Sequence, residues 1–198
     1  MLYNVTEIFQ SIQGEGLHVG LYCNFIRLAG CPLNCTFCDT DKETMGKYTI
    51  YAILRLLDPM LDHVVLTGGE PTAQDIEPLC IALQNRGYKV HLETSGWAAI
   101  PRRCVDFISL SPKAKTIDRI NNPSFLNVEE VKWLVPAFGL DDINWNLADV
   151  HWLQPINEKK TLYQPNLERC LMLLQQAVVP VGKSLRLSVQ LHKLINVK

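Results

Sequence analysis

Cys31-Pro32-Leu33-Asn34-Cys35-Thr36-Phe37-Cys38-Asp39-Thr40 is the stretch from which the rest of the chain is read. Its three thiols are spaced C-x3-C-x2-C and follow the apolar run Tyr22-Cys23-Asn24-Phe25-Ile26-Arg27-Leu28, a strand that would fix the base of the loop. Thiols so placed can converge on one metal centre, and the number of ligands decides the chemistry. A closed structural zinc site takes four ligands, whereas a four-iron cluster held by three thiolates keeps one iron open to an exogenous ligand. No fourth cysteine or histidine stands close on the C-terminal side. Upstream, the nearest are Cys23, inside the strand, and His18. A zinc knuckle, or three unrelated core cysteines, is the other reading of this loop, so structural context must decide.

At 198 residues and 47% hydrophobic, the chain is long enough for one domain, residues 1–198, with a sizeable core. Lysine plus arginine (19) nearly balances aspartate plus glutamate (20). A net charge of −1 carries no sign of a nucleic-acid or membrane surface, and the expected substrate is a small molecule. No run reaches the roughly 18 apolar residues of a spanning helix. The N-terminal Met1-Leu2-Tyr3-Asn4-Val5-Thr6-Glu7 lacks the basic and then apolar regions of a signal peptide, so a cytoplasmic location is expected. Seven cysteines, an odd number, favour reduced thiols and metal ligation over a disulfide framework.

Tyr3 to Phe9 reads as a strand leading into Gln10-Ser11-Ile12-Gln13-Gly14-Glu15-Gly16. There two glycines either free backbone amides to approach a ligand or simply turn the chain into the next strand. Arg27, near the end of that apolar strand, suits bidentate recognition of a carboxylate. Thr49 caps a helix with Ile50, Ile53, Leu54 and Leu57 on one face. His63 to Thr67 is a buried strand ending in Gly68-Gly69-Glu70-Pro71, which puts bare backbone and a carboxylate where α/β folds keep their sites. A second helix buries Ile76, Leu79, Cys80 and Leu83, and the strand Tyr88 to Leu92 ends in Glu93-Thr94-Ser95-Gly96. His91 faces out or makes one hydrogen bond.

Val105 to Leu110 ends in Ser111-Pro112-Lys113. Strands Val131 to Val135 and His151 to Leu153 follow, with a short helix expected around Asp141 to Leu147, and the second runs into Gln154-Pro155-Ile156-Asn157. A last helix carries Leu167, Cys170, Leu171 and Leu174 on one face, and Leu185 to Lys193 alternates as a final strand. Six strands alternating with helices predict an α/β fold, a partial, open (β/α)6 barrel in compact form, with every motif at a strand's C-terminal end.

The three-cysteine loop together with Gly-Gly-Glu is similar to the signature of radical S-adenosylmethionine enzymes. Ile12 to Gly16, Arg27, Cys31 to Thr40, Gly68 to Pro71, Glu93 to Gly96 and Ser111 to Lys113, in that order, resemble the 7-carboxy-7-deazaguanine synthase family over nearly the whole chain. The resemblance implies a lyase that converts 6-carboxytetrahydropterin to 7-carboxy-7-deazaguanine, with ring contraction and loss of ammonia, on the route to queuosine. It implies a 4Fe-4S cluster, S-adenosylmethionine and Mg2+, with a 5′-deoxyadenosyl radical taking the C6 hydrogen of the pterin. Cys31, Cys35 and Cys38 match the cluster ligands and Thr40 the magnesium ligand. Phe37, Cys38, Asp39, Glu70, Gly96, Ser111, Pro112, Lys113 and Gln154, Pro155, Ile156 and Asn157 match the cofactor side. Ile12, Gln13, Gly14, Arg27 and Thr94 match the substrate side, with His192 closing over it. The resemblance further implies a homodimer and a flavodoxin- or ferredoxin-type electron donor. Two other functions fit the residues less fully: a glycyl-radical activase, which works on a protein, and a zinc-stabilised binding module.

Overall fold

The computed structural model describes residues 1–38, 46–120, 125–157 and 162–198. Among these, one nine-stranded sheet runs in the order β3-β1-β2-β4-β5-β6-β7-β8-β9. The strands are β1 (Leu2–Ile12), β2 (Tyr22–Leu28), β3 (Gly46–Thr49), β4 (His63–Gly68), β5 (Lys89–Thr94), β6 (Phe107–Leu110), β7 (Glu130–Val135), β8 (Val150–Pro155) and β9 (Ser184–Leu187). Helices α1 (Ile50–Leu56), α2 (Glu77–Gln84), α3 (Ile117–Ile120), α4 (Gln164–Gln176) and α5 (Leu191–Leu194) connect or follow them. Every pairing from β2 onward is parallel, while β1 lies antiparallel to both β2 and β3. The sheet is open, as the alternating pattern predicted. Its first strand belongs to a hairpin rather than to the parallel run.

Successive side chains of a strand point to opposite faces, and that period sorts the residues of this sheet. Val64, Leu66, Val90, Leu92, Val131, Trp133 and Leu153 face outward into the main core, where Ile53 of α1, Leu79, Cys80 and Leu83 of α2, and Cys170 and Leu173 of α4 cover them. The alternate residues Phe25, Arg27, Val65, Thr67, His91, Glu93 and Lys132 face the concave side. Each buried strand is thus two-faced. The continuous apolar look of His63 to Thr67 conceals an inner row.

At the base of the concave side, Cys23, Phe25 and Val65 form a small apolar cluster. Beside it, the rings of His18 and His91 lie 4.4 Å apart, and His63 Nδ1 stands 2.8 Å from His91 Nε2. His91 is therefore buried with one histidine partner, not turned outward. Burial, with its two histidine neighbours, holds the His91 imidazole down to about 3.

One expectation is borne out with an addition, and three are corrected. Thr49 caps α1 as read, its hydroxyl accepting from Ala52 N at 3.2 Å, but Gly46–Thr49 is also an edge strand paired with Leu2–Val5. The helix expected at Asp141 to Leu147 is a single 3-10 turn, Leu140–Asp142. The Asn144 carboxamide accepts from Asn146 N there, a local bond that competes with helix. On α4, Leu171 is exposed and Leu173 fills the core in its place. Finally, the strand expected through Lys193 stops at Leu187. Leu191 N donates to Gly14 O and starts α5 over the barrel mouth.

Because folded His91 resists protonation while the unfolded residue takes a proton near 6.5, its contribution is intact above that pH and is lost as pH falls toward about 3. In urea unfolding between pH 7 and pH 4, wild type is expected to lose stability relative to His91→Gln as the pH drops. A pH-independent difference would show that the ring is not buried neutral.

Candidate active site

The C-terminal ends of the parallel strands enclose two clefts that share a wall. The first, with room for about 200 Å³, is lined by Cys31, Cys35, Phe37 and Cys38 of the loop after β2. Glu70, Thr94, Ser111, Lys113 and the segment Gln154 to Asn157 complete it. The second, about 650 Å³, is lined by Ile12, Gln13, Gly14, Arg27 and His192. Glu15, Thr67, Glu93 and Gln190 border both.

The loop itself is held by backbone. Gly69 N donates to Leu28 O at 2.9 Å, and Glu70 N to Gly30 O at 3.0 Å. A Cβ on Gly68 would fall 2.1 Å from Leu28 O, and one on Gly69 2.0 Å from Gly30 O. The two glycines thus serve a close crossing of β4's end and the cysteine loop.

Glu70, buried, knots the floor of the first cleft. One oxygen accepts from Thr72 N (3.0 Å), Thr72 Oγ1 (2.8 Å) and Thr94 Oγ1 (2.6 Å). The other accepts from Ser95 N (2.7 Å) and Ser95 Oγ (2.5 Å). Thr94, expected against the substrate, lines the first cleft and not the second, because its hydroxyl is spent on Glu70. Lys113 Nζ donates to Ser111 O (2.6 Å) and Ser111 Oγ (2.8 Å), and burial lowers its ammonium to about 8. Gln154 accepts from the Ser188 hydroxyl at 3.0 Å.

Gly96 and Pro112 do not line either cleft. Gly96 has φ +78°, and a Cβ there would meet Ile120 at 2.6 Å, so a side chain has no room at this turn. Asp39 and Thr40 lie outside the described residues.

The donor set fits a cluster held by three thiolates. No disulfide joins any of the seven cysteines, all of which are described, and only Cys31, Cys35 and Cys38 reach a cleft. Cys23, the nearest fourth thiol in sequence, is fully buried beneath the site, and burial raises it to about 12. His18 packs against His91 and Phe107 at the barrel base. Neither is placed to close a fourth ligand position. Among the described residues, no three His, Cys, Asp or Glu side chains form a ready site for a single metal ion.

Residues 25–121 match the model of the radical SAM superfamily. A 7-carboxy-7-deazaguanine synthase of Buchnera aphidicola is 30% identical over 233 aligned positions, covering all of both chains. That of Escherichia coli K12 is 29% identical over 234, again covering both completely. The chain belongs to the 7-carboxy-7-deazaguanine synthase family. The crystal structure of QueE from Escherichia coli superposes with a TM-score of 0.67 at 25% identity, covering 96% of this chain and 95% of that one. Membership of this radical S-adenosylmethionine family makes the chain an enzyme with a 4Fe-4S cluster and S-adenosylmethionine as cofactors. No helix among the described residues is long and apolar enough to cross a membrane.

Against this family background, the residues that sequence reasoning missed form a buried charge network in the shared wall. Lys132 Nζ, on the inner face of β7, stands 2.5 Å from Glu15 Oε2 and 3.7 Å from Glu93 Oε1. Gln190 donates to the other oxygen of Glu15 at 2.8 Å, and Gln13 and Thr67 donate to Glu93 at 3.0 and 2.8 Å. Burial alone would raise Glu15, but the charge and hydrogen bond of Lys132 overcome it and hold the carboxyl down to about 2. Burial would likewise lower Lys132, and its carboxylate neighbours push it up instead. The signal was in the sequence: a lysine inside Val131-Lys132-Trp133-Leu134-Val135, and a glutamate between two glycines.

Those glycines also have internal reasons. A Cβ on Gly16 (φ +67°) would strike the Glu130 carboxylate at 2.1 Å, and one on Gly14 would strike His192 Nδ1 at 1.9 Å. The loop approaches a buried carboxylate and the C-terminal helix, not only a ligand.

Lys132→Met removes one partner of a buried pair, which costs about 3–5 kcal/mol because the remaining carboxylate is left uncompensated. In anaerobic urea unfolding, a second change, Glu15→Gln, is expected to recover most of that loss. Additive losses would show that the two charges are not coupled.

Proposed function

We propose that the chain converts 6-carboxy-5,6,7,8-tetrahydropterin to 7-carboxy-7-deazaguanine, with ring contraction and loss of ammonia, as a step of queuosine biosynthesis. The observation that carries this reading is the pair of clefts meeting at one wall, with three thiols bordering the first and Arg27 bordering the second. Named relatives of full length support it.

Cys31, Cys35 and Cys38 would hold the cluster, and Phe37, Ser111, Lys113 and Gln154 to Asn157, which line the same cleft, would receive S-adenosylmethionine. When bound, these groups supply the radical that takes the C6 hydrogen of the substrate. The work of the chain itself is positioning and exclusion. Ile12, Gln13 and Gly14 hold the pterin, Arg27 receives its carboxylate, and His192 caps the cleft from α5. Glu93, held on one oxygen by Gln13 and on the other by Thr67, is a carboxylate of the shared wall that faces both clefts. Glu70 acts through Thr94 and Ser95, fixing the strand ends that border the cofactor.

In the same reading Thr40 would supply a hydroxyl ligand to Mg2+, a hard cation that takes oxygen ligands. A single domain over residues 1–198, a homodimer covering the open side of the barrel, and a flavodoxin- or ferredoxin-type donor belong to it too.

Reconstituted protein, reductant, S-adenosylmethionine, Mg2+ and the carboxypterin, incubated anaerobically, are expected to yield 7-carboxy-7-deazaguanine without stoichiometric 5′-deoxyadenosine. Production of 5′-deoxyadenosine with no deazapurine would retain the radical machinery and remove the substrate assignment. Cys35→Ala is expected to leave the circular-dichroism spectrum unchanged and to abolish S-adenosylmethionine cleavage. Cleavage retained at full iron content would overturn the cluster assignment.

A further inference from the structure

The far end of the second cleft contains a three-residue charge cluster, of which the family likeness singles out only Arg27. Glu7 and Arg27 are cross-strand partners on β1 and β2, brought opposite each other by a register shift between Val5 and Glu7. A bulge of this kind re-aims the side chains that follow it. Here Glu7 Oε1 accepts from Arg27 Nε at 2.8 Å, with both side chains one-quarter exposed. Lys198 pairs with the other Glu7 oxygen. Its carbonyl accepts from the Ser11 hydroxyl at 2.5 Å, and its ammonium lies 4.8 Å from the centroid of the Phe9 ring. Glu7, Phe9, Arg27 and Lys198 all line the cleft.

We propose that Glu7 is the positioning residue of the carboxylate-binding end, orienting Arg27 through Nε. A guanidinium can grip a carboxylate side-on through Nε and one Nη, or end-on through both Nη. With Nε taken by Glu7, the side-on grip is closed and the end-on grip is the one left. Without Glu7, the arginine is free to turn and the side-on grip reopens. This inference rests on Arg27 as the receiver of the substrate carboxylate, and goes beyond it by naming what aims the arginine.

The test compares Glu7→Ala, Glu7→Gln and Arg27→Lys in anaerobic steady-state assays with 6-carboxytetrahydropterin, and with tetrahydropterin lacking the carboxylate as a competitive inhibitor. Glu7→Ala is expected to raise KM at least tenfold with kcat within about twofold of wild type. It should leave inhibition by the decarboxylated analogue unchanged. Glu7→Gln, whose amide oxygen still accepts from Nε, is expected to keep KM within about threefold. An equal fall in kcat and kcat/KM for Glu7→Ala, or an equal loss of analogue binding, would assign Glu7 a merely structural role and overturn the proposal. So would an unchanged KM. If Arg27→Lys leaves KM unchanged, the reading of Arg27 itself fails, and the two failures are thereby told apart.

Discussion

Five hydrogen bonds converge on the buried carboxylate of Glu70, and the mouth of the barrel depends on them. A carboxylate taken out of water is tolerated only when its lone pairs are occupied. Here the occupants come from the turn after β4 and from the end of β5, so satisfying one charge splices two strand ends. The same turn reaches the cysteine loop through Gly69 N and Glu70 N, which bond the backbone after β2. Three adjacent strand ends are thus fixed by a single acidic side chain and two glycines that permit the crossing.

The second constraint is the buried charge of Lys132. Its partners come from the loop after β1, from β5 and, through Gln190 and Glu15, from the C-terminal segment, elements distant in sequence. An ion pair of this kind adds little net stability over an apolar isostere, but strongly disfavours arrangements that separate the charges. Its effect is to specify how the substrate loop and α5 meet. His192 arrives beside Gly14 as a result, with no room there for any larger residue.

The order of strands and motifs was legible in the sequence because parallel strands leave continuous apolar runs and their ends carry turn residues. Cys80 and Cys170 were placed in the core by helical spacing alone, and Thr49 by its capping position. The inner row was not legible, since Val65, His91 and Lys132 look like parts of the same runs as their outward neighbours. Side-chain commitments were also invisible. Thr94 and the two flanking glycines of Glu15 present the same letters whether they face a ligand or another part of the chain. The end of the last strand was not legible because Leu185 to Lys193 alternates like a strand throughout. The bonds from Leu191 N to Gly14 O and from Gln190 to Glu15 carry the segment over the mouth instead.

The distribution of the seven thiols bears on which sulfurs are open to reaction. Cys23, Cys80, Cys104 and Cys170 are buried, and burial raises each above the ordinary thiol range, so at neutral pH they remain protonated and shielded. Cys31, Cys35 and Cys38 border a cleft instead, so the sulfurs within reach of solvent on the folded chain lie in one loop, and the packed interior keeps the other four from pairing with them.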